Sequence, residues 1–468
     1  MKPLRDVLLR YDMALLEAIA ASREVVLAES DRLDAADALC AALTEPSSLA
    51  YALARLGHPA RQALRSLMAV GGRQRAALWE RRWGELRPFG PGRLRREAPW
   101  RQPTNVTERL WYLGLISRAF DKEGDGTREY VFIPDELQPA VVQWLGNQGA
   151  AGVESLGPGS AAPPAMAVSA GRGFAEAALA ALTYTFNARV RVSAGGRLHR
   201  EDLAAWREYV GRRAGWAEAD EPFALLHLLL RDGGLLGPEA GRLRPQLAAA
   251  RPWLETPVDE ALAVLQRAWL ETLRWNDLWR VSTLRCERTG WMNDPRQARQ
   301  AVCALLGQAT AGAWYAVHDL VDALQGENPD FQRPDGDYDS WFIRDAGSGQ
   351  YLRGFESWPL VEGALVRYLL TGPLHWLGVV DLDGESQRFS LSPVGTALLS
   401  GDARPAVGPP EPARWAEPLL LELPPESSLL DRFQLARLAE WQESEPPRRY
   451  RLTASSVGRG LRQRLQVE

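Results

Sequence analysis

Lysine is almost absent from this chain of 468 residues: among its 55 basic residues only Lys2 and Lys122 are lysines, and 53 are arginines. A phosphate-binding P-loop needs the lysine of a Gly-Lys-Ser/Thr motif to reach the β- and γ-phosphates, and neither lysine here follows a glycine. A Schiff-base enzyme needs an amine with a lowered pKa, whereas Lys122 lies in the acidic sequence DKEGDG, which favours the charged form. The sequence therefore excludes P-loop chemistry and disfavours a lysine nucleophile.

Cysteine and histidine are also scarce. Cys40, Cys286 and Cys303 are too far apart to form a disulfide framework, and this usage is typical of a reducing cytoplasm. The five histidines never lie one helical turn apart and no CxxC occurs, so no zinc motif is present. A GxSxG nucleophile elbow is absent as well. We expect no catalytic residue, no metal and no cofactor.

Long apolar runs are missing too. The longest, such as FALLHLLL at residues 223–230, are far shorter than the ~20 residues of a membrane span. Asp6, Asp12 and Glu17 stand where a signal peptide would be apolar. We therefore expect a cytoplasmic protein.

Glycine, proline, serine and alanine accumulate in two segments without hydrophobic periodicity, residues 146–173 and 400–414, which we predict to be linkers. The sequence TGWMNDP at 289–295 interrupts two helical patterns and divides the middle of the chain. The predicted units are residues 1–145, 174–290, 291–400 and 415–468. We expect a mainly α protein with small β-hairpins, of the α+β class, built from tandem winged-helix-like units and a small C-terminal α/β piece.

The winged-helix prediction rests first on the segment after His58. Helices are indicated at 59–70 and 73–83, and a third begins after Pro103 with Thr104 as its N-cap. The sequences LISRAF and EYVFIP, joined by EGDG, then predict a hairpin. In a winged helix the third helix can enter a DNA groove while the hairpin contacts the backbone.

Positive charge is concentrated in this predicted unit, although the chain as a whole carries a net charge of −4. Residues 73–118 contain 11 arginines and four glutamates, which favours contact with phosphates. The alternative is an ordinary solvated helix face with an irregular loop. The predicted nucleic-acid contacts are Arg81, Arg82, Arg93, Arg95, Arg96, Trp100, Arg101, Arg109 and Arg118, with Trp100 as the candidate for stacking on a base.

The same order recurs between residues 295 and 400. Helices are indicated at 295–306, 314–324 and 358–370, followed by a hairpin with DGES as its turn. The strand-to-helix sequence that begins at Phe389 is echoed from Tyr450. Trp269, Trp275 and Trp279 lie on a helix predicted over 258–281, where we favour core packing over base stacking.

Three segments resemble the bacterial helicase-associated domain proteins, a family named after an accessory domain of XPB-type helicases. They are ALTYTFNARVRVSAGGRLHREDLAAW (181–206), residues 228–279 with LLRDGGLL and LQRAWLETLRWNDLW, and residues 417–461 with YRLTASSVGRGL. The resemblance covers most of residues 174–468 and lies in spacing rather than in catalytic motifs. It implies winged-helix-like accessory domains without a helicase motor.

An acidic segment, residues 319–345, carries eight carboxylates and two arginines. Ser340 and Ala346 replace the glycine and glutamate that an EF-hand would need there. A different cation site, a turn capped by aspartates and a protein-docking loop with aromatic anchors remain as interpretations. We predict partner contacts at Asp335, Asp337, Tyr338, Asp339 and Trp341.

Together these features predict a non-enzymatic protein that binds DNA or assists a helicase through winged-helix domains. The alternative is a protein-interaction scaffold that regulates a DNA-processing system without binding DNA. A third interpretation is a metal-dependent phosphoester hydrolase that uses the acidic segment.

Overall fold

The computed structural model describes residues 3–28, 31–123, 126–147, 156, 159–160, 162–193, 197–216, 220–333, 336–401, 413–424, 427–443 and 447–463. Helices account for 53% and strands for 15% of the structure, and all sheets are small and antiparallel, so the predicted α+β class is confirmed. The chain divides into two compact units, Met1–Val153 (unit 1) and Glu154–Glu468 (unit 2).

Unit 1 is helical with one small sheet. Its described helices are α1 (Leu4–Leu8), α2 (Met13–Ser22), α3 (Arg32–Thr44), α4 (Pro46–Ala54), α5 (His58–Ala69), α6 (Ala76–Trp83), α7 (Pro91–Glu97), α8 (Val106–Tyr112) and α9 (Gln138–Asn147), with a 3₁₀ turn at Pro99–Arg101. Its strands are β1 (Arg73–Arg75), β2 (Ser117–Glu123) and β3 (Gly126–Phe132), which pair antiparallel in the order β1-β3-β2.

The elements α5, β1, α6, α8, β2 and β3 follow one another as helix, strand, helix, helix and hairpin, which is winged-helix connectivity. The helix expected from Arg73 begins only at Ala76, because residues 73–75 pair with β3. Thr104 is not the N-cap of α8: the side chain of Asn105 accepts the N–H of Glu108 at 2.9 Å. A segment that contains α7 and the 3₁₀ turn is inserted between α6 and α8.

The core of unit 1 is formed where these helices meet. Trp79 of α6 is completely buried, and its indole Nε1–H donates to Thr107 Oγ1 of α8 at 2.8 Å. Leu64 of α5 and Leu110 of α8 are buried in the same cluster. A buried indole that finds an acceptor fixes the register between its helices.

Unit 2 contains the remaining elements. Its described helices are α10 (Gly173–Asn187), α11 (Arg200–Ala214), α12 (Asp220–Asp232), α13 (Leu247–Glu255), α14 (Val258–Glu271), α15 (Pro295–Leu306), α16 (Val317–Glu327), α17 (Trp358–Leu369), α18 (Pro393–Ser400), α19 (Leu429–Leu438) and α20 (Ala454–Arg462). Its strands are β4 (Ala167–Val168), β5 (Leu236–Glu239), β6 (Arg242–Pro245), β7 (Leu284–Cys286), β8 (Trp314–Ala316), β9 (Ile343–Asp345), β10 (Val380–Asp383), β11 (Arg388–Leu391), β12 (Arg414–Glu417), β13 (Leu420–Leu423), β14 (Glu440–Glu443) and β15 (Arg448–Arg451).

Winged-helix connectivity occurs twice more in unit 2. The elements α15, β8, α16, α17, β10 and β11 repeat the order of unit 1, and β8 pairs with β11 as β1 pairs with β3. An earlier copy runs through α10, α11, α12 and the β5–β6 hairpin, and a bridge between Arg191 and Arg242 replaces its first strand. The C-terminal piece is a sheet in the order β12-β13-β15-β14 with α19 and α20.

Part of the predicted linker 146–173 belongs to unit 2. Strand β4 pairs with β10, and Ser160 forms a bridge with Trp314. Glycine is required at position 159, since an added Cβ would lie 2.6 Å from the Tyr315 ring. Edge pairing uses main-chain hydrogen bonds and needs no hydrophobic period, so the sequence pattern gave no sign of it.

The core of unit 2 is one continuous cluster with members from Leu156 to Tyr450. Trp206, Trp269, Trp275 and Trp358 are completely buried, as core packing of the tryptophans predicts. The helix expected over 258–281 ends at Glu271 with α14, and Trp279 lies instead on a 3₁₀ turn at Leu278–Arg280.

The echoed sequences at Phe389 and Tyr450 are both strand-to-helix units. Ser392 caps α18 by accepting the N–H of Gly395, and Thr453 caps α20 by accepting that of Ser456. A Cβ at residue 395 would lie 2.1 Å from the carbonyl oxygen of Val379. The glycine therefore lets α18 approach the sheet closely.

Charged groups are buried in unit 2 as hydrogen-bonded pairs. Arg299 Nε donates to Asp277 Oδ2 at 2.8 Å, and Arg333 Nε donates to Glu362 Oε1 at 2.6 Å. Glu176 of α10 is held by arginines of the C-terminal piece. Each pair satisfies a charge that would otherwise be costly to bury.

Candidate nucleic-acid interface

One cleft of unit 1 collects several of the sequence-predicted residues. It has a volume of about 390 Å³ and is lined by Ala21, Ser22, Glu24, Arg55, Trp100, Arg101, Pro103, Arg109, Tyr112 and Leu113. We call it the arginine cleft after Arg55, Arg101 and Arg109. The ends of α2 and α4, the 3₁₀ turn and α8 bring these side chains together.

The arginines of this cleft face solvent. Arg101 and Arg109 are exposed, and neither forms an ion pair within the part of the chain that the structure describes. The Nη1 atom of Arg109 lies 3.5 Å from the carbonyl oxygen of Arg55. Trp100 is half-buried and meets the Tyr112 ring edge-on, with 6.5 Å between ring centres. Two cations and an aromatic ring thus border one opening.

A single carboxylate balances this charge. Glu24 lies 3.0 Å from Nη1 of Arg55 and accepts a hydrogen bond from the hydroxyl of Tyr51. The bonds from Tyr51 and Arg55 hold the pKa of Glu24 below its ordinary value. Glu24 is therefore ionised at neutral pH and competes with an incoming anion for Arg55.

The arginines on α7 are divided between paired and unpaired positions. Arg93 binds Glu97 at 2.7 Å, and Arg95 binds Glu17 of α2 at 2.8 Å. Both pairs are exposed, so each contributes little to stability and is screened by salt. Arg96 is exposed on the same helix and has no ion pair among the described residues.

Two further predicted residues, Arg81 and Arg82, lie in the last turn of α6. Arg81 is exposed, whereas Arg82 is half-buried with its guanidinium 4.6 Å from the Trp83 ring centre. Arg118 is not available to a ligand: its side chain is 18% exposed and pairs with Glu80. Burial holds the pKa of Arg118 below its ordinary value. A phosphate contact at Arg118 would therefore require its pair with Glu80 to break.

The third helix of this winged helix is enclosed. Five of the seven residues of α8 are buried, and the exposed one is Arg109. Glu108 is completely buried and accepts hydrogen bonds from Arg87 and Thr104. Burial would raise the pKa of Glu108, but these bonds outweigh it and hold that pKa below its ordinary value. The expectation that this helix enters a DNA groove does not fit α8, because α2, α5, α6 and the 3₁₀ turn pack around it and Arg87 pairs with its Glu108.

The described part of the acidic segment contains turns that are held by hydrogen bonds to aspartate side chains. Asp337 accepts the backbone N–H groups of Asp339 and Ser340 at 2.9 and 3.0 Å. A hydrogen bond from the Ser340 side chain, helped by these backbone bonds, holds the pKa of Asp337 below its ordinary value. Asp339 accepts the N–H of Gly354 at 3.2 Å. Asp335 lies outside the described residues. The aspartates therefore cap turns, one of the interpretations left open by the sequence.

The two aromatic residues predicted as partner contacts, Tyr338 and Trp341, pack against other parts of unit 2. Tyr338 is 4% exposed and donates its hydroxyl to the carbonyl oxygen of Pro329 at 2.9 Å. Trp341 is half-buried and stacks on Trp291 with ring centres 4.9 Å apart. Tyr338 is a core residue and not an exposed docking anchor, which corrects that part of the partner-site prediction.

Chemistry-bearing groups do not converge elsewhere in the described part of the chain. Among these residues no group of three His, Cys, Asp or Glu side chains could hold a metal ion. The cysteines are free, and burial raises the pKa of Cys286 and of Cys303 to about 12. Such thiols stay protonated and are poor nucleophiles. No described helix combines the length and apolar character needed to cross a membrane.

The chain matches no protein-family model and no curated protein.

The sequence did not predict the other charged and aromatic members of the arginine cleft, namely Glu24, Arg55 and Tyr112. Arg55 lies outside the arginine-rich stretch. It follows α4, a helix that contains no charged residue. Only the fold brings its carbonyl oxygen to within 3.5 Å of Arg109 Nη1. No pattern within a single segment carries that information.

Proposed function

We propose that unit 1 binds nucleic acid through the arginine cleft and that the protein acts without catalysis. The convergence of Arg55, Arg101 and Arg109 on one opening is the observation that supports this most strongly. Guanidinium groups stay charged at every physiological pH, and their planar donors match phosphate oxygens. Trp100 adds a ring on which a base can stack.

The contact is independent of sequence. Reading base edges in the major groove requires several side chains on an exposed recognition helix. The enclosed α8 offers Arg109 alone. Affinity then comes from phosphate charge, which gives similar binding to different sequences and a strong dependence on salt.

The role of a helicase accessory factor follows from the resemblance of residues 174–468 to the helicase-associated family. It is compatible with three copies of winged-helix connectivity along one chain. In this proposal unit 1 supplies the phosphate contact, and a motor protein supplies nucleotide hydrolysis, for which this chain has no P-loop lysine.

One observation favours the alternative of a protein scaffold. Arg87, Arg93, Arg95 and Arg118 are satisfied by glutamates within unit 1. If the remaining arginines also serve folding or a protein partner, nucleic acid will not bind.

Fluorescence anisotropy with a labelled single strand and a labelled duplex tests the proposal. Three phosphate contacts predict a loss of about 20- to 40-fold in affinity between 50 and 200 mM salt. The double variant Arg101→Ala with Arg109→Ala should lower affinity at least tenfold at the lower salt and flatten the salt dependence by about two contacts.

The matched control is Arg93→Ala with Arg95→Ala, which removes the same charge from exposed, paired positions of the same unit. We expect less than a threefold change. Equal losses of affinity in both double variants would mean that binding depends on overall positive charge, and the arginine cleft would be rejected as the binding site. Absence of binding by the unaltered protein at 50 mM salt would favour the scaffold.

A further inference from the structure

A second cleft lies in unit 2 and shares no lining residue with the arginine cleft. Its volume is about 420 Å³, and its lining residues are Asn276, Trp279, Arg288, Gly290, Trp291 and Met292. Trp279 comes from the 3₁₀ turn that follows α14, and the others from the segments on either side of β7. We call it the tryptophan cleft.

Two lining residues, Trp279 and Trp291, form a row of three indole rings with Trp341, which does not itself line the cleft. Trp291 lies on Trp341 with centres 4.9 Å apart and planes inclined by 15°, and Trp279 lies 5.5 Å from Trp291 at 31°. Arg333 covers the far ring of Trp341 at 4.3 Å and is held by the buried carboxylate of Glu362. The inner end of the stack is therefore anchored in the core.

The outer end is open. Trp279 and Trp291 are only partly buried, and Met292 beside them is 89% exposed. Arg288 is exposed, with its guanidinium 5.8 Å from the centre of the Trp279 ring, and it has no ion pair among the described residues. Gly290 has φ +94°, a conformation that favours glycine, and it carries the loop past the opening. An aromatic face and an exposed cation thus border the same space.

The charge of the residues that line the tryptophan cleft indicates which kind of ligand fits it. No carboxylate stands among the described lining residues, and the neighbouring Glu287 is engaged by Arg344 at 2.6 Å. A cationic ligand would meet Arg288 without a compensating charge. A ligand with a flat, neutral ring can stack on the indole, and an anionic group attached to that ring can pair with the guanidinium.

We propose that the tryptophan cleft binds an unpaired nucleobase together with its phosphate. The base stacks on Trp279, Arg288 contacts the phosphate, and the amide of Asn276, which already pairs with Asn293 at 2.7 Å, borders the base edge. Stacking of this kind requires bases that are free of a duplex. The inference does not depend on the arginine cleft, because it concerns other residues, another unit and single strands alone.

The test uses the full chain carrying Arg101→Ala and Arg109→Ala, so that the arginine cleft does not contribute. Binding of a labelled 12-nucleotide thymidine strand and of a duplex of equal length is measured by anisotropy at 50 mM salt. Trp279→Ala should weaken single-strand binding by about 5- to 150-fold, Trp279→Phe should stay within about threefold, and duplex binding should not change.

Arg288→Ala supplies a variant that does not touch the core and should also lose single-strand affinity. Trp415→Ala, at a tryptophan that is 60% exposed on β12, and Arg285→Ala, at an exposed arginine of β7, are the matched controls and should bind normally. Unchanged single-strand binding in Trp279→Ala and Arg288→Ala would overturn the proposal and leave a protein partner as the occupant. Equal losses for single strand and duplex would overturn it as well.

The two proposals fail separately. If the arginine cleft does not bind nucleic acid, its double variant behaves like the unaltered protein, and the effect of Trp279→Ala is still measured. If the tryptophan cleft does not bind single strands, the Trp279 and Arg288 variants bind like the protein without these changes, and the result for the arginine cleft is unaffected.

Discussion

The carboxylate of Glu176 in α10 is paired with the guanidinium of Arg432 in α19, although 256 residues separate them in the chain. The Nη1–Oε1 distance is 2.8 Å, and Arg448 of β15 donates to the same carboxylate at 3.0 Å. Burial would raise the pKa of Glu176, but the two arginines outweigh it and hold that pKa below its ordinary value. This group joins the C-terminal piece to the first helix of unit 2.

Replacement of Glu176 by Gln should therefore destabilise the protein by about 3–5 kcal/mol, because two buried guanidinium groups lose their counter-charge. The free energy of unfolding is measured by urea denaturation. The control Glu255→Gln breaks an exposed pair with Arg251 and should cost less than about 1 kcal/mol. Similar values for both variants would mean that the buried charges are compensated in another way.

His227 should make stability depend on pH. Its ring packs on Trp206 with centres 5.3 Å apart, and burial lowers its pKa to about 4. The unfolded chain protonates this ring near pH 6.5 and the folded chain does not, so stability is lost as the pH falls from about 6.5 towards 4. Between pH 7 and pH 5 the loss due to His227 is about 2 kcal/mol.

The measurement compares urea denaturation of the unaltered protein and of His227→Phe at both pH values. The variant should lose about 2 kcal/mol less on acidification. Parallel losses in the two proteins would show that the ring is protonated in the folded state, or that other groups cause the whole effect.

Gly395→Ala should destabilise α18, although alanine is normally the better helix former by about 1 kcal/mol. The new Cβ would lie 2.1 Å from the carbonyl oxygen of Val379, and such overpacking costs about 1–3 kcal/mol. The control is Gly92→Ala in α7, where nothing lies within 4 Å of the added Cβ. Thermal denaturation should show a lower midpoint for the first variant and no decrease for the second. A stable Gly395→Ala protein would contradict the close approach of α18 to the sheet.

Glu24→Gln should strengthen nucleic-acid binding. The change removes the carboxylate that pairs with Arg55 at 3.0 Å in the arginine cleft, and we expect about a threefold gain at 50 mM salt that shrinks at 200 mM. Asp34→Asn, at an exposed carboxylate of α3 outside the cleft, removes the same charge and should have little effect. An equal gain in both variants would reflect net charge alone.

The sequence predicted elements whose signals are local and missed arrangements that arise from packing. The helices at 59–70 and 295–306 were recognisable from apolar spacing and from proline or glycine at their ends, and the structure places α5 and α15 there. The sequence predicts a helix where β1 lies, because three residues that pair with a distant strand show no periodicity of their own.

For the candidate sites, too, the sequence does not show which side chains meet in the folded protein. A cluster of arginines is visible in the sequence, but Glu80 pairs with Arg118 and Glu17 pairs with Arg95 only through the fold. The charged residues around Tyr338 in the sequence favour a partner contact there, whereas its ring packs edge-on against Phe355, with 5.4 Å between ring centres. Local composition reports the neighbours along the chain and not the neighbours in space.

The bonds between Glu176 and the two distant arginines make the C-terminal piece an integral part of the fold of unit 2. A chain that ends at Gly401 would lack the cations of Glu176 and would expose the apolar face of α10, where Phe186 packs on Phe433, so it should accumulate in inclusion bodies. A fragment that begins at Ala413 would supply those cations, so that co-expression of the two pieces should restore a soluble complex held together without a peptide bond.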